Sequence, residues 1–345
     1  MKKQVVIAAL ACSAVALSVP ALAYADKAAD SDIKVVVSAA GDCTLGTDSA
    51  FSYSTSLNAK YAQKGPAYFL KDVKKVFSKD DLTIVNLEGT LTKRGSKADK
   101  AFAFKGSPSY TKILTKGSVE AVSFANNHCY DYGKVSYTDT IKYVKKAGIK
   151  LSSYATTTTY KVKGVKIGMV SVDDIGRYGG SAKPLIKSGI KKLKKQGADA
   201  IIVSMHAGIE KDYYPNATQK SIAHYAVQQG ADLVLGHHPH VLQGIEKYKG
   251  VYICYSLGNF CFGGNSNPAD KNTMIVQKTL TFRNGKLKKD KALKVIPCSI
   301  SGHSYYNDYQ PQVLFGAKKK SVMAKVNAYS KPFGMSFSAK GYAKK

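Results

Sequence analysis

Short apolar and β-branched runs alternate along this chain with stretches whose apolar residues recur at helical spacing. Ile33-Lys34-Val35-Val36-Val37 runs into Gly41-Asp42, and Leu82-Thr83-Ile84-Val85 into Asn86-Leu87-Glu88-Gly89. Val119 to Phe124 leads to Ala125-Asn126-Asn127-His128, Ala200 to Met205 leads to His206, and Ala231 to Leu235 leads to Gly236-His237-His238-Pro239-His240. Val165 to Val172 reads as a further strand. Between these runs, Phe69, Val73, Val76 and Phe77 form a helical stripe with Pro66 near its start. Ile141 and Val144 mark a helix ending near Gly148. Two more stripes follow, at Ile186, Ile190 and Leu193 and at Ile222, Tyr225 and Ala226. Strands alternating with helices predict an α/β fold with an open sheet.

From Val251 the pattern changes. Val251 to Tyr255 and Thr273 to Phe282 read as strands, and Arg283-Asn284-Gly285 as a hairpin turn into a strand over Leu287 to Val295. This half is expected to be β-rich with little helix. From about Ala317 the chain is rich in Lys, Ser, Ala, Gly and Tyr, which predicts a basic, loosely ordered tail. The expected organisation is a leader over 1–25, one domain over 26–300 and a basic C-terminal extension over 301–345. No internal repeat is visible.

The leader reading rests on Met1-Lys2-Lys3, the apolar stretch from Val5 to Val19, Pro20, and small-residue sites at Ala21-Leu22-Ala23 and Ala23-Tyr24-Ala25. It predicts a secretory signal peptide and a secreted or cell-surface protein. The shortness of the apolar stretch argues against the alternative, an uncleaved anchor.

The formal charge is +29, or +27 once Lys2 and Lys3 are removed. For an exported protein such a charge implies polyanionic surroundings: a cell-wall polymer, an acidic capsule or anionic headgroups. No nucleic-acid-binding motif accompanies it, so nucleic acid is not expected as a partner. Beyond Cys12 five cysteines remain, an odd number. Cys43 follows Asp42 and Cys129 follows His128, which raises a Cys43–Cys129 disulfide as one expectation and two small buried hydrophobes as the other.

The chemistry lies in the turns. In an open α/β sheet, ligands bind beyond the carboxyl ends of the strands. Asp42, Glu88, Asn127-His128, His206 and the histidine cluster all follow apolar runs. Three of the seven histidines fall within the five residues 236–240. A carboxylate, an amide oxygen and several imidazoles form a mixed N/O set that suits Mn, Zn or Fe better than Ca or Mg. One or two such divalent ions can polarise an acyl or phosphoryl oxygen and activate water near neutral pH.

In order along the chain stand Gly41-Asp42, Asn86-Leu87-Glu88-Gly89, Ala125-Asn126-Asn127-His128 with Asp131 and Gly133, and His206-Ala207-Gly208 with Glu210. Gly236-His237-His238-Pro239-His240-Val241-Leu242-Gln243 with Glu246 and Ser256-Leu257-Gly258-Asn259-Phe260 follow. This set, running from about Ile33 to Ile275, resembles the poly-γ-glutamate capsule biosynthesis protein CapA family, itself similar in fold to the calcineurin-like metallophosphoesterases. The resemblance implies a four-layer α-β-β-α sandwich. It implies metal ligands at Asp42, Glu88, Asn127, His206, His238 and His240, with His128 as general acid. Asp131 would orient His128 or cap a turn. His237 is the extra histidine, placed behind the ligands or at the surface. Glu210, Glu246 and Asn259 would stand behind the ligands or touch substrate. His224 and His303 read as ordinary histidines.

Two positions depart from the metallophosphoesterase pattern. Thr44 stands where a second histidine would follow the first Asp, and Glu88 stands where the bridging group is Asp. The implied function is a part in making or exporting poly-γ-glutamate or a similar anionic polymer, beside capsule-synthesis membrane proteins, with a metal-dependent hydrolase-type site. The alternative is an altered scaffold that holds polymer or partner without turnover.

Overall fold

In the computed structural model, residues 32–154, 156–176, 180–288 and 292–344 are described; the expected leader over 1–25 lies outside them. The strands that the apolar runs predict form two large sheets. The first is ordered Gln312–Val313, Leu293–Ser299, Asn272–Arg283, Ile33–Cys43, Leu82–Leu87, Ala121–Ser123 and Lys150–Ser152, with Lys286–Leu287 beside Asn272–Arg283. The second is ordered Ile245–Tyr248, Val251–Cys254, Leu233–His237, Ala200–His206, Val165–Asp173 and Thr158–Val162. In each sheet a parallel block carries antiparallel strands at an edge.

The layering follows from period-2 alternation in strands buried on both faces. Val35, Val37 and Ala39, with Leu82 and Ile84, meet Ile167, Met169, Ile202, Leu233 and Leu235 in a core between the sheets. The alternate residues Ala40, Cys43, Val85 and Leu87 turn to the other side, where Phe69, Val73 and Phe77 of helix Lys71–Phe77 and the turn before it pack with Val144 of helix Gly133–Lys146. Val170, Val172, Val203 and Val234 likewise meet helices Ala182–Lys195 and Ala217–Gln229. The result is a four-layer α-β-β-α sandwich, the architecture the resemblance implies. Asn216 and Gln219 form a capping box at the start of helix Ala217–Gln229, and Gly230 ends it at φ 108°.

Two expectations are corrected. The basic stretch from Ala317 is no loose tail: Gly316–Ser330 is a helix of 15 residues. Its Val322, Met323 and Val326 enter the core between the sheets, and Ser330 Oγ accepts from Ile245 N at 2.9 Å. Lys318, Lys320 and Ser321, part of the content that reads as disorder, occupy the solvent face of an anchored helix. The Cys43–Cys129 disulfide is not formed, and Cys43, Cys129, Cys254, Cys261 and Cys298 are all free and buried. Cys129 Sγ instead lies 3.3 Å from Asn126 N and 3.4 Å from Asn126 Oδ1, so the sulfur is used inside its own turn.

The Arg283-Asn284-Gly285 turn is a hairpin as expected, with Asn284 and Gly285 at φ 50° and 71° pairing Arg283 with Lys286. The returning strand is shorter than predicted at Lys286–Leu287, and pairing resumes at Leu293–Ser299.

Two acidic groups flank Thr83 at the start of Leu82–Leu87. Thr83 Oγ1 donates to Asp80 Oδ2 at 2.7 Å and Thr83 N to Glu120 Oε2 at 2.8 Å. Burial pushes both carboxyls up to about 6. A raised folded-state pKa means that the stability linked to the group is complete below the unfolded value and is lost as pH rises through 6. Partial solvation limits the loss to about 1 kcal/mol per group. Glu120→Gln is therefore expected to gain that amount over wild type at pH 8 and little at pH 4.5. Urea melts at the two pH values check this, and an equal change at both would refute it.

Candidate metal centre

The parallel strands of both sheets release their chains toward one locus, and register decides which side chains meet. Asp42 lies opposite Asn86 across the first sheet, and His206 opposite His237 across the second. The first pairing follows a register shift between Ala40 and Asp42, a bulge that re-aims the carboxylate. Gly41 permits the close passage of the Leu257–Gly258 turn, because a Cβ there would lie 1.8 Å from Gly258 O. Through that passage Asp42 N donates to Gly258 O and Phe260 N to Asp42 O, which brings Asn259 beside Asp42.

Glu88 is the hub. It is fully buried, and its Oε1 lies 3.7 Å from His240 Nε2, 3.8 Å from His206 Nε2 and 3.9 Å from His128 Nε2. Neither Glu88 oxygen has a hydrogen-bond partner. On one side of it, His206 Nε2 stands 2.9 Å from Asn127 Oδ1 and 3.2 Å from His238 Nδ1. On the other, Asp42 Oδ2 stands 3.2 Å from His240 Nδ1, and Asp42 Oδ1 accepts from Asn86 Nδ2 at 2.8 Å. Asn259 holds His240 from both ends, its Oδ1 2.9 Å from His240 Nδ1 and its Nδ2 donating to His240 O at 3.2 Å. His238 and His240 flank Pro239 at φ 98° and 59°, the left-handed region that costs a non-glycine residue about 1 kcal/mol or more. That strain aims both imidazoles inward.

His237 is buried, not at the surface: its Nδ1 lies 3.3 Å from Asp42 Oδ1, and neither ring nitrogen makes a hydrogen bond. His128 turns Nε2 toward Glu88 and holds Nδ1 2.7 Å from Asp131 Oδ2. Phe104 N donates to the same Asp131 oxygen at 2.6 Å. Glu210 sits at the rim and offers an oxygen to a group with His238 and His240. Glu246 is not brought to the cluster: its Oε2 is engaged by His224 Nε2 at 2.9 Å and by Tyr255 OH at 2.5 Å. His224 accordingly has a structural partner.

Three contributors escaped the sequence reading. Lys100 Nζ donates to Asp131 Oδ1 and to Asn127 O, each at 2.9 Å, tying the His128–Asp131 pair to the Asn127 turn. Lys100 lies in a run of Lys, Arg, Gly, Ser, Ala and Asp that carries no signal. Asn86 fixes Asp42, and Asn126 donates to Asn86 Oδ1 at 3.2 Å and Leu87 O at 2.8 Å. Both asparagines stand inside the motifs quoted above, and their position after strands was the available hint.

The electrostatics are those of a buried charge cluster. Burial pushes Glu88 up to about 8 against the pull of His240. Burial works to raise Asp42 too, but the imidazoles of His237 and His240 overcome it and hold that carboxyl well below the usual range. Burial works to lower His240, but the carboxylates of Glu88 and Asp42 lift it to about 10. His206 and His238 are depressed, by burial first and a neighbouring imidazole second, His238 to about 4. Burial lowers His128 against the pull of Asp131.

These residues fit a divalent cation. Buried carboxylate oxygens and imidazole nitrogens without partners are costly, and a cation removes the cost. Asp42, Glu88 and His240 offer ligand atoms within 4.8 Å of one another. The centre opens onto a cleft of about 650 Å³ lined by Phe104, His128, Glu210, His240, Asn259 and Phe262, among others. Phe104 packs 4.5 Å from the His128 ring and Phe262 5.4 Å from the His240 ring, centroid to centroid.

Residues 36–264 match the family model described as bacterial capsule synthesis protein PGA_cap. The chain is 34% identical over 220 residues to the PGA biosynthesis protein CapA of Bacillus subtilis, covering 58% of each. It is 31% identical over 223 residues to the capsule biosynthesis protein CapA of Bacillus anthracis, covering 57% of this chain and 54% of that one. A probable polyglutamine synthesis accessory protein of Mycobacterium tuberculosis is 27% identical over 208 residues, covering 52% of this chain and 55% of its own. The chain thus spans little more than half the length of these relatives. Among solved structures, purple acid phosphatase PPD1 from yellow lupin (Lupinus luteus) seeds aligns at a TM-score of 0.35 and 10% identity, covering 83% of this chain and 54% of that one.

Proposed function

This chain belongs to the bacterial capsule synthesis protein PGA_cap family, and from that premise we propose that it serves the synthesis or export of a poly-γ-glutamate-type anionic polymer through a divalent-metal hydrolytic centre. The observation that carries the metal reading is Glu88, a fully buried carboxylate with both oxygens unpartnered amid three imidazoles. Asp42, Glu88, Asn127, His206, His238 and His240 would hold one or two ions, with Mn, Zn or Fe matching the donor set. A bound ion there supplies Lewis acidity and a water of lowered pKa.

The remaining work falls to this chain's own groups. Asp131 accepts at Nδ1 of His128 and so directs Nε2 into the cleft, where a proton can be given to a leaving group. Lys100 fixes Asp131 from the other side. Phe104 and Phe262 shield the two imidazoles from bulk water. The basic surface, at a formal charge of +29, suits a polycarboxylate. Export by the N-terminal leader belongs to the same proposal, as do membrane proteins of the capsule apparatus as partners.

A second reading is favoured by Thr44, whose buried hydroxyl has no partner where an imidazole donor would complete the set. On that reading the fold holds polymer without turnover. Metal analysis of purified protein beside His206→Ala separates these readings from a centre that takes no metal. Wild type is expected to retain one or two ions and the variant to lose at least one. Phosphodiester and γ-glutamyl substrates then test turnover, with His128→Ala expected to fall by about 10²–10⁴-fold. Metal without turnover supports the holding role, and equal rates in the two proteins remove His128 as the acid.

A further inference from the structure

We propose that Glu210 is itself a metal ligand, closing with His238 and His240 a second cation locus at the mouth of the cleft. This rests on the metal reading above and extends it to a residue outside the strand-end set. Glu210, His238 and His240 each offer one donor atom, and the three atoms lie within 4.8 Å of one another. The deeper group of Asp42, Glu88 and His240 meets the same condition, and the two groups share only His240. One locus is buried, and the other lies where Glu210 reaches solvent.

The backbone delivers Glu210 to this position at a cost. Lys211, the next residue, is held at φ 65° and donates its N–H to Pro239 O at 2.8 Å. That bond ties the Glu210 loop to the turn that carries His238 and His240, themselves at φ 98° and 59°. Three non-glycine residues in the left-handed region, on two loops bonded to each other, frame the three donors. Among the described residues the Glu210 carboxylate has no hydrogen bond or ion pair to account for its placement. One carboxylate and two imidazoles would form a donor set for Zn or Mn. The locus also compensates in donor number for Thr44, which cannot supply an imidazole.

Metal-stripped full-length protein, Glu210→Gln and Asp270→Asn are to be titrated with Mn²⁺ by calorimetry, with melting of each metal-free protein as the folding control. Asp270 is a second acid of the same cleft and belongs to neither donor group. Glu210→Gln is expected to lose one bound equivalent or to weaken the weaker site at least tenfold, with its metal-free melting unchanged. Asp270→Asn should titrate like wild type, and Glu210→Asp should keep part of the affinity. Wild-type binding by Glu210→Gln overturns this inference and leaves the deeper centre standing. Absence of Mn²⁺ uptake by wild type overturns both.

Discussion

Metal-free Glu88→Gln protein is expected to fold at least as well as wild type while its affinity for metal falls by two orders of magnitude or more. The two halves have one cause. Without metal, the Glu88 carboxyl is fully buried and carries no hydrogen bond, so burial pushes it to about 8. A neutral amide of the same shape has no ionisation cost in that place. With metal, the same carboxylate, within 4 Å of His128, His206 and His240, would carry the charge at the centre of the ligand set, and an amide cannot replace that charge. A hundredfold loss corresponds to about 2.7 kcal/mol. The pH dependence has a definite sign. Because the folded-state value is raised, stability linked to Glu88 is complete below 4.5 and is lost as pH rises through 8. His240, raised to about 10, acts in the same direction at higher pH. Metal-free wild type should therefore melt at lower temperature at pH 9 than at pH 6, with a flatter profile in Glu88→Gln. Bound metal should abolish the decline, because it favours the ionised carboxylate. Calorimetric titration and melts with and without Mn²⁺ supply the measurements. A variant that needs metal to fold, or metal-free wild type that gains stability from pH 6 to 9, contradicts the account.

Deleting residues 316–345 is expected to cost most of the stability of the fold. Val322, Met323 and Val326 of helix Gly316–Ser330 are buried among Leu242, Ile245, Leu293 and Val295 between the sheets. Burial of three such side chains is worth roughly 5–8 kcal/mol, comparable to the whole net stability of a domain. The deletion also removes Gly341 O and Ser330 Oγ, the acceptors for Val295 N and Ile245 N. Val326→Asp tests the same contact with one residue and should cost about 4 kcal/mol or more, because it places an unpaired charge in that core. Lys320→Ala, on the exposed face, should melt like wild type. Near-ultraviolet circular dichroism and urea melts are the readouts. A truncated chain with native melting would mean that the helix rests on the fold without supporting it.

The difference between what could and could not be read follows from distance along the chain. Strands buried on both faces appear as unbroken apolar runs, so Ile33–Cys43, Leu82–Leu87, Ala200–His206 and Leu233–His237 are visible one at a time. The residue after each run is automatically at the carboxyl end of a strand. Helix Gly316–Ser330 failed this test because its apolar contribution is three residues set among lysines, serines and alanines. The cysteines failed it because Cys129 finds its partner three residues back, in Asn126. Glu246 shows the converse error: it follows the histidine cluster in sequence, but the strand Ile245–Tyr248 carries it to His224 and Tyr255.

The sequence by itself determined the alternation of the central strands with their helices and the turns that carry Asp42, Glu88, Asn127, His206 and the histidine cluster. Each is local, written in a period of two or 3.6 and in the residue that ends a run. Only the tertiary structure decided that Glu88 stands at the hub, that His237 turns inward to Asp42, that Lys100 ties Asp131 to Asn127 and that Glu210 meets His238 and His240. Those relations join residues of different strands and loops. They depend on register, on the bulge at Gly41 and on the close packing of two sheets, none of which is encoded in any single stretch of chain.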